Sequence, residues 1–122
     1  MNSRKPVILV VEDEVLIRMM AVAVAEDAGF EVLSAASAKE AIGILESRSD
    51  VRLVFTDINM PGSMDGLRLA HAVRGRWPPV ELLVTSALGE VTAKDLPVRG
   101  RFLAKPYDHS TLTEAFQQMA GV

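Results

Sequence analysis

The sequence contains no cysteine, which removes disulfide frameworks, thiol nucleophiles and cysteine-ligated zinc together. Aromatic residues are sparse at 5%, with a single Trp and a single Tyr. The two histidines, His71 and His109, lack the spaced partners that a histidine metal site needs and read as surface or packing residues. Long hydrophobic runs are missing as well. The longest is Met19 to Ala25, far short of the roughly 18 apolar residues of a membrane span. The opening MNSRKPVILVVEDE turns acidic straight after Val11, too early for the apolar region of a secretory signal. These absences point to a cytoplasmic protein without membrane contact. Lys and Arg total 13 against 16 Asp and Glu, a net charge of −3, with no basic block. Direct nucleic-acid binding therefore has no electrostatic footprint here.

What is present is an ordinary globular composition, 49% hydrophobic and 24% charged over 122 residues, the size of one domain. No repeat or Pro/Ser-rich linker divides the chain, so a single domain over 1–122 is expected. The opening Met1 favours a stand-alone protein over a piece of a larger one. Short β-rich runs, Val7–Val11, Val32–Ala35, Leu53–Phe55, Leu82–Val84 and Phe102–Ala104, alternate with helical patterns. Several of these runs are apolar throughout, as strands buried on both faces of a parallel sheet are. A first helix is expected from about Glu14 to Ala28. Its only charge between Val15 and Ala25 is Arg18, and helical spacing puts Val22 on the side of Glu14 and Arg18, a greasy outer face suited to a partner or a weak homodimer. Ser37 and Glu40 form a capping-box signature before the second helix. Leu69, Ala70, Val73 and Trp77 mark the third, stopped by Pro78-Pro79, and the last starts near Asp108. Between Leu88 and Gly100 only Glu90–Leu96 has room for a helix, so a fourth helix is expected to be short or distorted. Five β–α units imply an α/β fold, a doubly wound five-stranded parallel sheet with helices on both faces.

Ligand sites in such sheets form at the carboxyl ends of the strands. Those ends carry Glu12-Asp13-Glu14, Thr56-Asp57, Thr85-Ser86 and Lys105-Pro106. Taken one at a time, each has a plain structural reading: acids cap a following helix, Asp57 leads a turn, and Lys-Pro ends a strand. Their joint occurrence reads differently. Carboxylates brought within several ångströms raise each other's pKa or demand a cation. All-oxygen ligands favour Mg²⁺ or Mn²⁺. With a lysine and a hydroxyl alongside, the set makes a phosphoryl clamp in which an Asp carboxylate is the nucleophile.

The segments VILVVEDE (7–14), FTDINMPGSMDG (55–66), LLVTSA (82–87) and FLAKPY (102–107), in this order and at these separations, resemble the receiver domain of bacterial two-component response regulators. The likeness runs from Val7 to about Met119. It implies a flavodoxin-like sheet in the order 2-1-3-4-5, with Asp57 as phosphoacceptor. It implies a Mg²⁺ held by Asp57, by Asp13, by Glu12 through water, and by the backbone carbonyl of Asn59. Lys105 would bind phosphoryl oxygens, with a cis bond to Pro106. The switch hydroxyl would be Ser86, with Thr85 second, and Phe102 the aromatic that follows it inward. The resemblance further implies a phosphohistidine donor, a sensor histidine kinase or phosphotransfer protein, and an unidentified downstream protein. Three departures stand out. The loop after Asp57 is one residue longer than the commoner form and is expected to bulge near Ser63. Ser86 to Phe102 is short. Leu88 stands where relatives carry a polar residue, and is expected to hinder attacking water. The rival readings are a receiver-shaped interaction module that never carries phosphate, and an aspartate-nucleophile phosphohydrolase. Asp57-Ile-Asn59 lacks the second Asp that the latter uses.

Overall fold

The computed structural model describes residues 5–60, 64–87 and 89–121. Five parallel strands, β1 (Val7–Val11), β2 (Glu31–Ala35), β3 (Val51–Asp57), β4 (Glu81–Ala87) and β5 (Arg101–Lys105), form one sheet in the order β2-β1-β3-β4-β5. Helices α1 (Val15–Asp27), α2 (Ala38–Ser47), α3 (Gly66–Arg76) and α4 (His109–Ala120) connect or follow them.

Side chains alternate across the sheet, and the alternation divides the core in two. Val7, Leu9 and Val11 of β1 point into one layer with Ala41 and Leu45 of α2 and Leu69 and Val73 of α3. Ile8 and Val10 point into the other, with Ala21 and Ala25 of α1 and Leu112 and Phe116 of α4. Every residue of β1 is buried, which explains its unbroken apolar run. Phe116 anchors the second layer, meeting Phe30 and Phe55 edge-on at 6.5 and 5.4 Å between ring centroids.

The helices begin where their caps lie. Ser37 accepts from the Glu40 amide at 3.1 Å, while the Glu40 carboxylate reaches back to the amide of Ala36. Asp65 accepts from the Arg68 amide and Asp108 from the Thr111 amide, each satisfying a donor left over by the first turn. Trp77 caps α3, with the Arg76 guanidinium 4.4 Å above its ring.

One expectation is met in its shortest form and another changes. The expected fourth helix is reduced to a single 3₁₀ turn, Ala93–Asp95. Gly89 has φ +91° and Pro97 and Gly100 close the segment with a turn, so no run long enough for an α-helix remains. The exposed apolar face of α1 is not where Val22 lies. Val22 is half-buried against the second core layer, and Arg18 turns its guanidinium to the Glu12 carbonyl at 2.9 Å. The exposed apolar side chains are Val15, Leu16 and Met19. Ala21, Val24 and Ala25 fix the buried stripe, which puts Val22 on its flank and Leu16 and Met19 opposite. Ser63 and Leu88, and with them the expected bulge and the expected shield against water, lie outside the described residues.

Candidate functional site

The chain leaves β1 for β2 on one side of the sheet and returns to β3 on the other, so the crevice between β1 and β3 is the switch point. Glu12 follows β1 directly and Asp57 is the last residue of β3. Asp57 pairs in register with Thr85 and Ala87 with Lys105, so the ends of β3, β4 and β5 stand side by side.

The register brings the expected groups together. Lys105 Nζ donates to Asp57 Oδ2 at 2.5 Å and the Asn59 amide donates to Asp57 Oδ1 at 2.9 Å. Both carboxylate oxygens are thereby held on a side chain only 6% exposed. The other ion pairs among the described residues, such as Arg76–Glu46, join side chains about a third or more exposed and contribute roughly 0–1 kcal/mol each. The Lys105 pair differs because a buried carboxylate without its cation is strongly destabilising. Burial pulls the Lys105 ammonium down, but the bond and charge of Asp57, helped by Glu12 and Glu14, hold it above its ordinary value.

Glu12 is buried, with Oε2 accepting from the Glu14 amide at 3.1 Å. Burial pushes its carboxyl up to about 7; the Glu14 amide opposes this, a hydrogen bond with Asp13 and the charge of Asp57 add to it, and Lys105 opposes it. Glu12 thus interacts with both Asp13 and Asp57. Among the described residues no three His, Cys, Asp or Glu side chains converge as a ready cage for a metal. Mg²⁺ needs no such cage, since it binds through one or two carboxylates and keeps several waters.

The two candidate hydroxyls face different layers. Thr85 shares a face with Leu83, and its hydroxyl is committed to the Leu103 carbonyl at 2.7 Å. Ser86 shares the opposite face with Val84, and its hydroxyl makes only a local bond to the Ala87 carbonyl at 3.2 Å. Phe102 pairs with Val84 and is half-buried on that same face. Thr85 is thus bonded across to β5 while Ser86 bonds only locally, and Ser86 and Phe102 lie on one face of the sheet. The Lys105–Pro106 peptide is cis.

Three features escaped the sequence reading. Tyr107 stacks edge-on against Phe55 at 6.1 Å, and burial, with Glu12 and Asp57 adding, pushes its phenol up to about 12. Gly66 opens α3 hard against the backbone of Asp57 and Ile58; its place straight after the capping Asp65 was the available signal. Glu90 accepts from the Asn59 side-chain amide and from the Ala87 backbone amide, and nothing in its sequence context marks it. His71, exposed on α3, sets Nε2 2.7 Å from the Asp95 carbonyl, a packing role. No helix of the described residues is long and apolar enough to cross a membrane.

The family model of the response regulator receiver domain matches residues 8–117. The chain is 33% identical over 121 residues to the sensor kinase CckA of Brucella abortus, covering 96% of this chain and 13% of that one. It is 28% identical to the chemotaxis protein CheY of Listeria monocytogenes, covering 93% of this chain and 97% of CheY. The structure of CheY4 from Vibrio cholerae superposes with a TM-score of 0.81 at 26% identity, covering 94% and 98% of the two chains. The chain thus spans only about an eighth of the sensor kinase but nearly all of the chemotaxis proteins.

Proposed function

Since this chain belongs to the response regulator receiver domain family of two-component signalling, we propose that it accepts a phosphoryl group on Asp57 and signals through a changed protein-contact surface. Receivers as a family are regulatory phosphoacceptors rather than turnover enzymes. The observation that carries the proposal for this chain is the buried Asp57 carboxylate, fixed between Lys105 Nζ and the Asn59 amide. A carboxylate so held is oriented before any donor arrives, and orientation is most of what phosphoryl transfer asks of a protein.

In the transfer, one Asp57 carboxylate oxygen attacks the phosphorus of a phosphohistidine on a sensor histidine kinase or phosphotransfer protein. The P–O bond forms as the P–N bond breaks, and the leaving imidazole nitrogen keeps the electron pair and takes a proton from water. Lys105 follows the charge from the carboxylate to the new phosphoryl oxygens. Ser86 turns to donate to one of them, and Phe102 moves into the space behind it. The protein surface around β5 and residues 89–100 carries the change to a downstream protein, in the cytoplasm.

The donor set fits Mg²⁺, with Mn²⁺ as a substitute: Asp13, Asp57, Glu12 through water, and the Asn59 backbone carbonyl are all hard oxygen ligands. Burial, chiefly, with Asp13 and Asp57 adding, raises the Glu12 carboxyl, and a bound cation would favour its charged form. When bound, the ion supplies charge that offsets the carboxylates and the incoming phosphoryl oxygens. Incubation with a radiolabelled phosphohistidine protein tests the proposal. Label is expected to pass to the wild type with Mg²⁺ and to stay on the donor when a chelator is present. Label transferred equally with chelator, or not at all with Mg²⁺, contradicts it.

A further inference from the structure

Glu90 spans the mouth of the site. Its Oε2 accepts from Asn59 Nδ2 at 2.9 Å and its Oε1 from the Ala87 backbone amide at 3.0 Å. The Glu90 amide returns a bond to the Ala87 carbonyl at 3.2 Å. One exposed carboxylate thus ties the segment after β3 to the segment after β4, the two that bracket Asp57. Ala87 follows the switch hydroxyl Ser86 and pairs with Lys105. Asn59 already turns its backbone amide to Asp57. Both donors that Glu90 engages therefore belong to residues at the rim of the phosphoacceptor.

A carboxylate across that rim has two consequences. It occupies two N–H donors that phosphoryl oxygens would otherwise draw upon. It also sets a negative charge at the mouth through which a negatively charged donor must come, with no cation among its hydrogen-bond partners. A phosphoryl group on Asp57 carries nearly two negative charges where the carboxylate carried one, and brings three strong acceptor oxygens. It competes for the same N–H groups and repels the side chain that holds them.

We propose that Glu90 is a positioning residue that latches the two segments over unphosphorylated Asp57 and is expelled when the phosphoryl group arrives, releasing the Ala87 amide and the Asn59 carboxamide. The inference rests on Asp57 being the acceptor, and it adds a brake on uptake that is built into the chain. The latch suits a resting state in which small phosphate donors load the site slowly.

The test compares wild type, Glu90→Gln and Glu90→Ala at equal, saturating Mg²⁺. Uptake from acetyl phosphate is followed by intact mass, and binding of beryllofluoride, a phosphoryl mimic, by amide proton resonances. Both variants are expected to load faster and to bind beryllofluoride more tightly, by up to about five-fold, the range for an exposed charged contact. The Ala87 amide and Asn59 carboxamide protons should shift upfield in Glu90→Ala before any donor is added. In the wild type they should move when beryllofluoride binds. A side chain that merely staples the loop gives slower loading and weaker binding in the variants, and that result overturns the latch. Unchanged rates and affinities in both variants, with the wild type forming its adduct, overturn the latch alone. A wild type that forms no adduct removes Asp57 as acceptor and the latch with it.

Discussion

Gly66 packs so closely on Asp57 that a Cβ at position 66 would stand 1.8 Å from the Asp57 carbonyl oxygen and 2.8 Å from the Ile58 Cα. The Gly66 amide donates to the Ile58 carbonyl at 3.1 Å. The first residue of α3 thus braces the backbone of Asp57, and the brace needs the absence of a side chain rather than a special backbone angle.

Gly66→Ala is accordingly expected to force the Asp57–Ile58 backbone aside. Overpacking of this kind costs about 1–3 kcal/mol, readable as a lowered urea midpoint. The displaced carboxylate should also take up phosphoryl groups more slowly than wild type. An unchanged midpoint together with unchanged uptake would show that α3 can shift without moving Asp57.

The two adjacent hydroxyls should separate cleanly. Thr85→Val removes a hydrogen bond from a nearly fully buried hydroxyl to the Leu103 carbonyl. It is expected to destabilise the fold by about 1–2 kcal/mol while leaving the change on phosphorylation intact. Ser86→Ala removes only a local bond. It should leave stability nearly unchanged and Asp57 able to accept phosphate, but abolish the accompanying movement of Phe102. Amide and aromatic resonances of both variants, with and without beryllofluoride, check this. Loss of the Phe102 movement in Thr85→Val rather than in Ser86→Ala would reverse the assignment.

Asp108 caps α4 through the Thr111 amide and, in smaller part, the Thr111 and Ser110 side chains, and these bonds hold its carboxyl below the ordinary value of 3.8. The sign follows directly. The folded chain keeps the charged form to lower pH than the unfolded chain does, so the cap's contribution is complete above the unfolded value. It is lost as pH falls through the folded one. Asp108→Asn caps without titrating. The stability difference between wild type and this variant should therefore shift against the wild type below about pH 4. A difference independent of pH, read from denaturant midpoints, would remove Asp108 as a titrating cap.

Much of this was legible in the residues because burial and chemistry coincide in them. The all-apolar β1 run marked a central parallel strand, and Glu12, Asp57 and Lys105 declared themselves by standing at strand ends. Strand lengths were less legible. β3 and β4 extend over Thr56-Asp57 and Thr85-Ser86, since ladder pairing, not hydrophobicity, decides where a strand stops. The outward face of α1 was misjudged because its apolar residues nearly encircle the helix, and packing alone selects Leu16 and Met19 for exposure. Glu90 was illegible for another reason. Its bond to Asn59 crosses 31 residues and depends on how two loops lie side by side, which no local pattern encodes.

The most direct test of the account is the intact mass of wild type and Asp57→Asn after treatment with acetyl phosphate and Mg²⁺. The account predicts one phosphoryl adduct on the wild type, stable in acid and lost in base, and none on Asp57→Asn. An equal adduct on Asp57→Asn, or no adduct on wild type with Mg²⁺ saturating, would contradict it.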